Sequence, residues 1–176
     1  MGVVGNEKRV QVDWETVWRG DGDEVYKQTA GHRVPMEGPM TVQDASVIGP
    51  SLFPDKDGGR QYLGSAIYNG GVHPCKIVPN YPPPCHVPYG DKEIEHTGRY
   101  MLLPFDSDTM EWVFTSKGHI PEGRVPVEGG HEEGYGDLYH AAAYHDGVYV
   151  PGKTCPSLVR MLAPNYSLYE ANIVHL

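Results

Sequence analysis

Shifted against itself by 77 positions, this 176-residue chain lays residues 62–79 onto 139–156 without a gap. Tyr62 meets Tyr139, Ala66 meets Ala143, Gly70 meets Gly147, Pro74 meets Pro151, Lys76 meets Lys153 and Pro79 meets Pro156. Seven residues upstream Asp55 meets Glu132, so a carboxylate is kept ahead of each copy. Self-similarity of this kind dictates architecture before any single motif does, because both copies must fold alike and pack together.

The repeated stretch reads as a hairpin. Runs 61–68 and 72–78 are rich in Tyr, Ile and Val and flank Asn69-Gly70-Gly71, where glycine supplies the positive φ of a tight turn. Copy two repeats this with 138–144 and 148–150 around His145-Asp146-Gly147. In such a hairpin Lys76 stands opposite Leu63 or Gly64, well along the strand from Asp55, so the loop 55–59 has to fold back to reach it. Pro74 and Pro151 lack the N–H of a ladder hydrogen bond and predict an edge strand or a bulge.

Gly31-His32-Arg33-Val34-Pro35 and Gly118-His119-Ile120-Pro121 read as a second signature ahead of each hairpin. Pro35 to Asp55 is 20 positions and Pro121 to Glu132 is 11, which assigns copy one an insertion within 39–50. No stretch carries a helical stripe. The expectation is an all-β chain of two tandem, pseudo-symmetric, small antiparallel sheet modules packed as one compact unit. Residues 1–25 form an N-terminal extension that packs Trp14 or Trp18 onto the first module, 26–105 that module, and 106–176 the second.

Composition fits: 22 Gly and 16 Pro punctuate 12 Tyr and many Val, as short strands joined by tight turns require. With 14 Lys plus Arg against 23 Asp plus Glu, the net charge of −9 argues against nucleic acid and anionic membrane partners. The first residues show no apolar h-region, and no apolar run approaches the roughly 18 residues of a membrane span. The expectation is therefore a cytoplasmic protein without membrane insertion, with release by a non-classical route left open. Three cysteines, Cys75, Cys85 and Cys155, fit free thiols acting as small hydrophobes.

Other constellations carry less. His131-Glu132-Glu133 and the pair His140 and His145 lack metal-ligand spacing. Cys85 and His86, as neighbours on a strand, point to opposite faces and make no nucleophile–base pair. Gly58-Gly59 and Gly129-Gly130 read as turns flanking the two carboxylates, since neither opens a helix as a phosphate loop would. No enzyme, metal site or cofactor is expected.

Trp112-Val113, Gly118–Gly123, Leu138–Ala143 and Pro151-Gly152-Lys153 in copy two, with Val87–Glu93 and Tyr100-Met101-Leu102 in copy one, resemble the DM-nine repeat in order and spacing. The resemblance covers residues 26–176. It implies an all-β lectin that recognises mannose or mannose-rich glycans without metal, used in pattern recognition. It also implies the sites: Asp55 and Lys76 with Glu93 in copy one, and Glu132 and Lys153 in copy two. A carboxylate that accepts beside an ammonium that donates suits a pair of vicinal hydroxyls.

Copy two has 12 residues between Pro156 and Tyr169 where copy one has 20 between Pro79 and Tyr100, so the segment matching Tyr89–Glu93 is missing there. The second site is expected to be weaker or dead. The family includes intracellular members, which leaves an alternative: a protein-interaction or vesicle-associated stress-response module without a sugar ligand. Small modules with exposed strand edges predict a homodimer.

Overall fold

The computed structural model describes residues 31–39, 49, 51, 53–163, 166–168 and 170–176. The extension with Trp14 and Trp18 and most of the 39–50 insertion lie outside the described residues. Among the described residues every regular element is a strand. None of the described residues forms a helix long and apolar enough to cross a membrane.

Seven strands belong to copy one: β1 (Val34–Met36), β2 (Phe53–Pro54), β3 (Arg60–Tyr68), β4 (Gly71–Ile77), β5 (Cys85–Tyr89), β6 (Lys92–His96) and β7 (Tyr100–Leu103). Seven belong to copy two: β8 (Glu111–Ser116), β9 (Glu128–Glu132), β10 (Gly136–His145), β11 (Val148–Cys155), β12 (Leu158–Ala163), β13 (Tyr166–Leu168) and β14 (Glu170–His175). All pair antiparallel in one network, and the pairings repeat. The ladders β2–β3, β3–β4, β4–β5, β5–β6, β3–β7 and β1–β7 recur as β9–β10, β10–β11, β11–β12, β12–β13, β10–β14 and β8–β14.

The hairpin turns are two residues each. Asn69 and Gly70 take φ of 48° and 78°, and Asp146 and Gly147 take 49° and 91°. A two-residue turn with both residues at positive φ matches the right-handed twist of its strands. Gly71 and His145, read from sequence as turn residues, are instead the last paired positions of their ladders. The register Leu63↔Lys76 agrees with the expectation.

The prolines correct one expectation: β4 and β11 are interior strands, not edges. Counting from the hydrogen-bonded pairs that close each turn, Ser65↔Pro74 and Ala142↔Pro151 fall on non-hydrogen-bonded positions. Pro74 therefore turns its nitrogen away from β3, where the neighbour of β4 changes from β9 at Val72 to β5 at Lys76. No ladder hydrogen bond is lost.

The modules meet hairpin to strand. Val72 of β4 pairs with His131 of β9. At the corresponding place in the other direction, the rings of Tyr149 and Phe53 lie 5.4 Å apart and Gln61 donates to the Tyr149 carbonyl at 3.4 Å. Gly129 and Gly130 lie in β9 at this seam, not in a turn. A Cβ on Gly129 would run into Pro74, and one on Gly130 into the Val72 carbonyl, so only glycine lets the two backbones close. Arg33 stitches the same seam: it donates to Ser65 at 3.1 Å and to Nε2 of the buried His140 at 2.9 Å, while Ser65 donates to the Gly129 carbonyl.

Burial on both faces follows. Tyr62, Ala66, Cys75, Ile77 and Tyr100 fill the core of copy one, and Tyr139, Ala141, Ala143, Cys155 and Ile173 that of copy two. Leu63, Leu103, Met110, Val127 and Val174 form a third cluster shared by both. The three thiols are free and buried. One signature does not superpose: Arg33-Val34-Pro35 runs into β1, whereas Gly118–Gly123 follows β8, the counterpart of β1. The two are similar in sequence but occupy different places in the repeat.

Gly130, at φ 153° and pressed on Val72, is the tightest point of the seam. Gly130→Ala is expected to lower stability by roughly 2–4 kcal/mol, measured by urea unfolding; a loss within about 0.5 kcal/mol would mean the seam is slack.

Candidate functional site

Strand alternation puts Lys76, His86 and Glu95 in one row across β4, β5 and β6, through the pairs Lys76↔His86 and His86↔Glu95. Glu93 lies two residues from Glu95 on the same face, and its Oε1 sits 2.8 Å from Lys76 Nζ and 3.0 Å from His86 Nδ1. Burial pushes the Glu93 carboxyl upward, but hydrogen bonds from His86 and Lys76 outweigh it and hold the group at about 2. The Glu93 carboxylate thus stays ionised at any physiological pH.

Asp55 reaches the same cavity from the loop ahead of β3. The loop 55–59 folds back, with the Asp55 N–H donating to the Gly59 carbonyl at 2.7 Å. Asp55, Lys76, Val78, Tyr81, His86, Glu93 and Glu95 line one cavity of about 360 Å³. That volume is at the small end of ligand pockets, which span roughly 300–1,000 Å³. On the reverse face Cys85 Sγ lies 3.5 Å from Cys75 Sγ inside the core, so Cys85 and His86 do point oppositely.

Copy two builds a different centre from the matching residues. Lys153 Nζ is 2.7 Å from Glu132 Oε2, so the carboxylate ahead of the hairpin and the hairpin lysine do meet here. The lysine is 1% exposed, however, and donates also to Nδ1 of His73 at 3.0 Å, a residue of copy one. His73 in turn donates from Nε2 to the Tyr68 carbonyl at 2.9 Å, which fixes its tautomer. Burial first and the Lys153 charge second lower His73 to about 4, so it stays neutral. Lys153 too is lowered by burial, with Glu132 opposing. The ring of Tyr89, from the β5–β6 tip of copy one, covers the ammonium at 5.3 Å.

The missing segment takes a more exact form. Copy two keeps a hairpin, β12–β13, in the place of β5–β6. Six residues, 88–93, separate the paired Val87 and Ile94, whereas two separate the paired Ala163 and Tyr166 in sequence. Glu93 therefore has no counterpart, and Leu162 holds the position of His86 against the hairpin lysine. Sequence reasoning missed His73, His86, Tyr81 and Tyr89. The strand parity of Lys76 and His86 was a usable signal for His86; His73 and Tyr89 enter only through contact between modules.

Comparison with known proteins adds a family and a fold. A family model described as DM9 repeat matches residues 55–170. No curated protein matches the chain. Among solved structures, the crystal structure of the nematode sperm cell motility protein MFP2B resembles it with a TM-score of 0.59 and 13% identity. The likeness covers 84% of this chain and 46% of that one, so this chain spans less than half of that protein's length. At that identity it concerns the fold alone.

The two lysines should separate cleanly in unfolding experiments. Lys153→Ala removes a fully buried ammonium from the largely buried Glu132 and is expected to cost about 3 kcal/mol. Lys76→Ala removes a lysine that is 16% exposed beside an open cavity and should cost about 1 kcal/mol. Equal losses in urea would mean that Lys153 is not sealed.

Proposed function

The chain belongs to the DM9 repeat family, and on that premise we propose that it is a carbohydrate-binding protein, a non-enzymatic lectin for mannose or mannose-rich glycans. The observation that supports this reading is the cavity of copy one, which Asp55, Lys76 and Glu93 line from three separate segments. An ammonium has three donors. Lys76 can keep one on Glu93 and direct the others to a sugar oxygen, while Asp55 accepts from the neighbouring hydroxyl with charge assistance. No step needs a metal. Lys153 and Glu132 act as a structural tie in this reading, and copy one does the binding.

Mannose-terminated structures should lead a glycan array, and the signal should survive EDTA. Lys76→Ala should abolish it, and Asp55→Asn should weaken it about tenfold through loss of charge assistance. A signal lost on chelation would remove the metal-free reading. A flat array beside a reproducible protein pull-down would favour an interaction module instead.

Pairing of two chains would present two such cavities and raise avidity without new contacts. We therefore also propose a homodimer, which light scattering should report as twice the 19.5 kDa chain; a purely monomeric species at micromolar concentration would sink it.

A further inference from the structure

The cavity of copy one is richer in acceptors than a neutral sugar needs. Asp55, Glu93 and Glu95 bring three carboxylates against the single ammonium of Lys76. Glu93 is engaged by Lys76 and His86; Asp55 is half-buried, its Oδ1 accepting from the Lys56 N–H at 2.7 Å, and Glu95 is exposed. His86 is an independent sign that the cavity takes a ligand. It is 4% exposed, its Nδ1 faces Glu93 at 3.0 Å, and its Nε2 has no hydrogen-bond partner among the described residues. His86 thus brings a buried ring nitrogen without a partner to the lining of the cavity. A buried polar atom without a partner costs stability, and a polar ligand group reaching it would relieve it.

Tyr81 adds an apolar wall of matching sign. Its side chain is exposed at the cavity and its ring is 5.3 Å from that of His86. The face of an aromatic ring is negative, attracts a nearby cation and packs on the C–H face of a pyranose.

We propose that this cavity selects for the charge of the sugar: it takes an aminated pyranose, its ammonium held by the Asp55 and Glu95 carboxylates, in preference to the neutral hexose, and it rejects hexuronates. The inference rests on the lectin reading and deepens it. Charge alone is insufficient, since Lys76 must still reach a ring hydroxyl and Tyr81 the ring face.

The test is titration calorimetry at pH 7 with the full chain and four probes: mannose, mannosamine, mannuronate, and lysinamide, which is cationic without a pyranose. Mannosamine should bind about fivefold tighter than mannose and mannuronate about fivefold more weakly, each the effect of one exposed ion pair. Lysinamide should not bind. In Glu95→Gln, an exposed position that tolerates change, the mannosamine-to-mannose ratio should fall toward one. Mannose bound with no gain from the amine, or with mannuronate bound as well, overturns the charge preference and leaves the lectin standing. Lysinamide binding as tightly as mannosamine overturns the sugar requirement. If no sugar binds, mannose included, the lectin reading falls and this inference with it.

Discussion

The contact on which the rest depends is the bridge between Val72 and His131, where the hairpin of one module lies against the pre-hairpin strand of the other. It sets the distance between the two copies, and the glycines at 129 and 130 allow that distance. Once β9 is held there, β3 and β10 are covered on both faces, and the shared cluster around Leu63 and Val127 closes. An antiparallel sheet can leave one face to water. Here each module supplies the cover for the other, so neither copy has a complete core by itself.

The same bridge explains why identical residues acquired different roles. Lys76 and Lys153 occupy one position in the repeat, but the chain around them is not duplicated faithfully. His73, whose counterpart is Val150, faces Lys153. His86, whose counterpart is Leu162, faces Glu93 beside Lys76. One lysine is sealed by groups from the other module and the other opens on a cavity lined by its own. The pseudo-symmetry is one of backbone; the chemistry departs from it at a few side chains.

Much of this was legible in the chain. The offset of 77, the turn residues Asn69-Gly70 and Asp146-Gly147 and the parity of Cys85 and His86 depend on local rules, and the register Leu63↔Lys76 follows from the turn. What failed depended on neighbours far along the sequence. Pro74 looked like an edge residue because its missing N–H was judged without knowing that β4 changes partner there. Gly129-Gly130 looked like a turn because a glycine required by another strand's approach has the same local appearance as one required by a turn. The carboxylate–lysine pair was expected to form a site in both copies, the second weaker or dead; in copy two the pair meets, but His73 and Tyr89 of the other module enclose the lysine.

The tip of the β5–β6 hairpin carries a consequence of its own. Its six residues, 88–93, include both Glu93, which engages Lys76, and Tyr89, whose ring covers Lys153. A change of length at this one loop therefore rewrites both centres together. Shortening it to the two residues of copy two would strip one lysine of its counter-ion and uncover the other in the same event. After a duplication, divergence in this architecture need not proceed residue by residue: a single insertion or deletion is enough to turn two equal sites into one anchor and one open cavity.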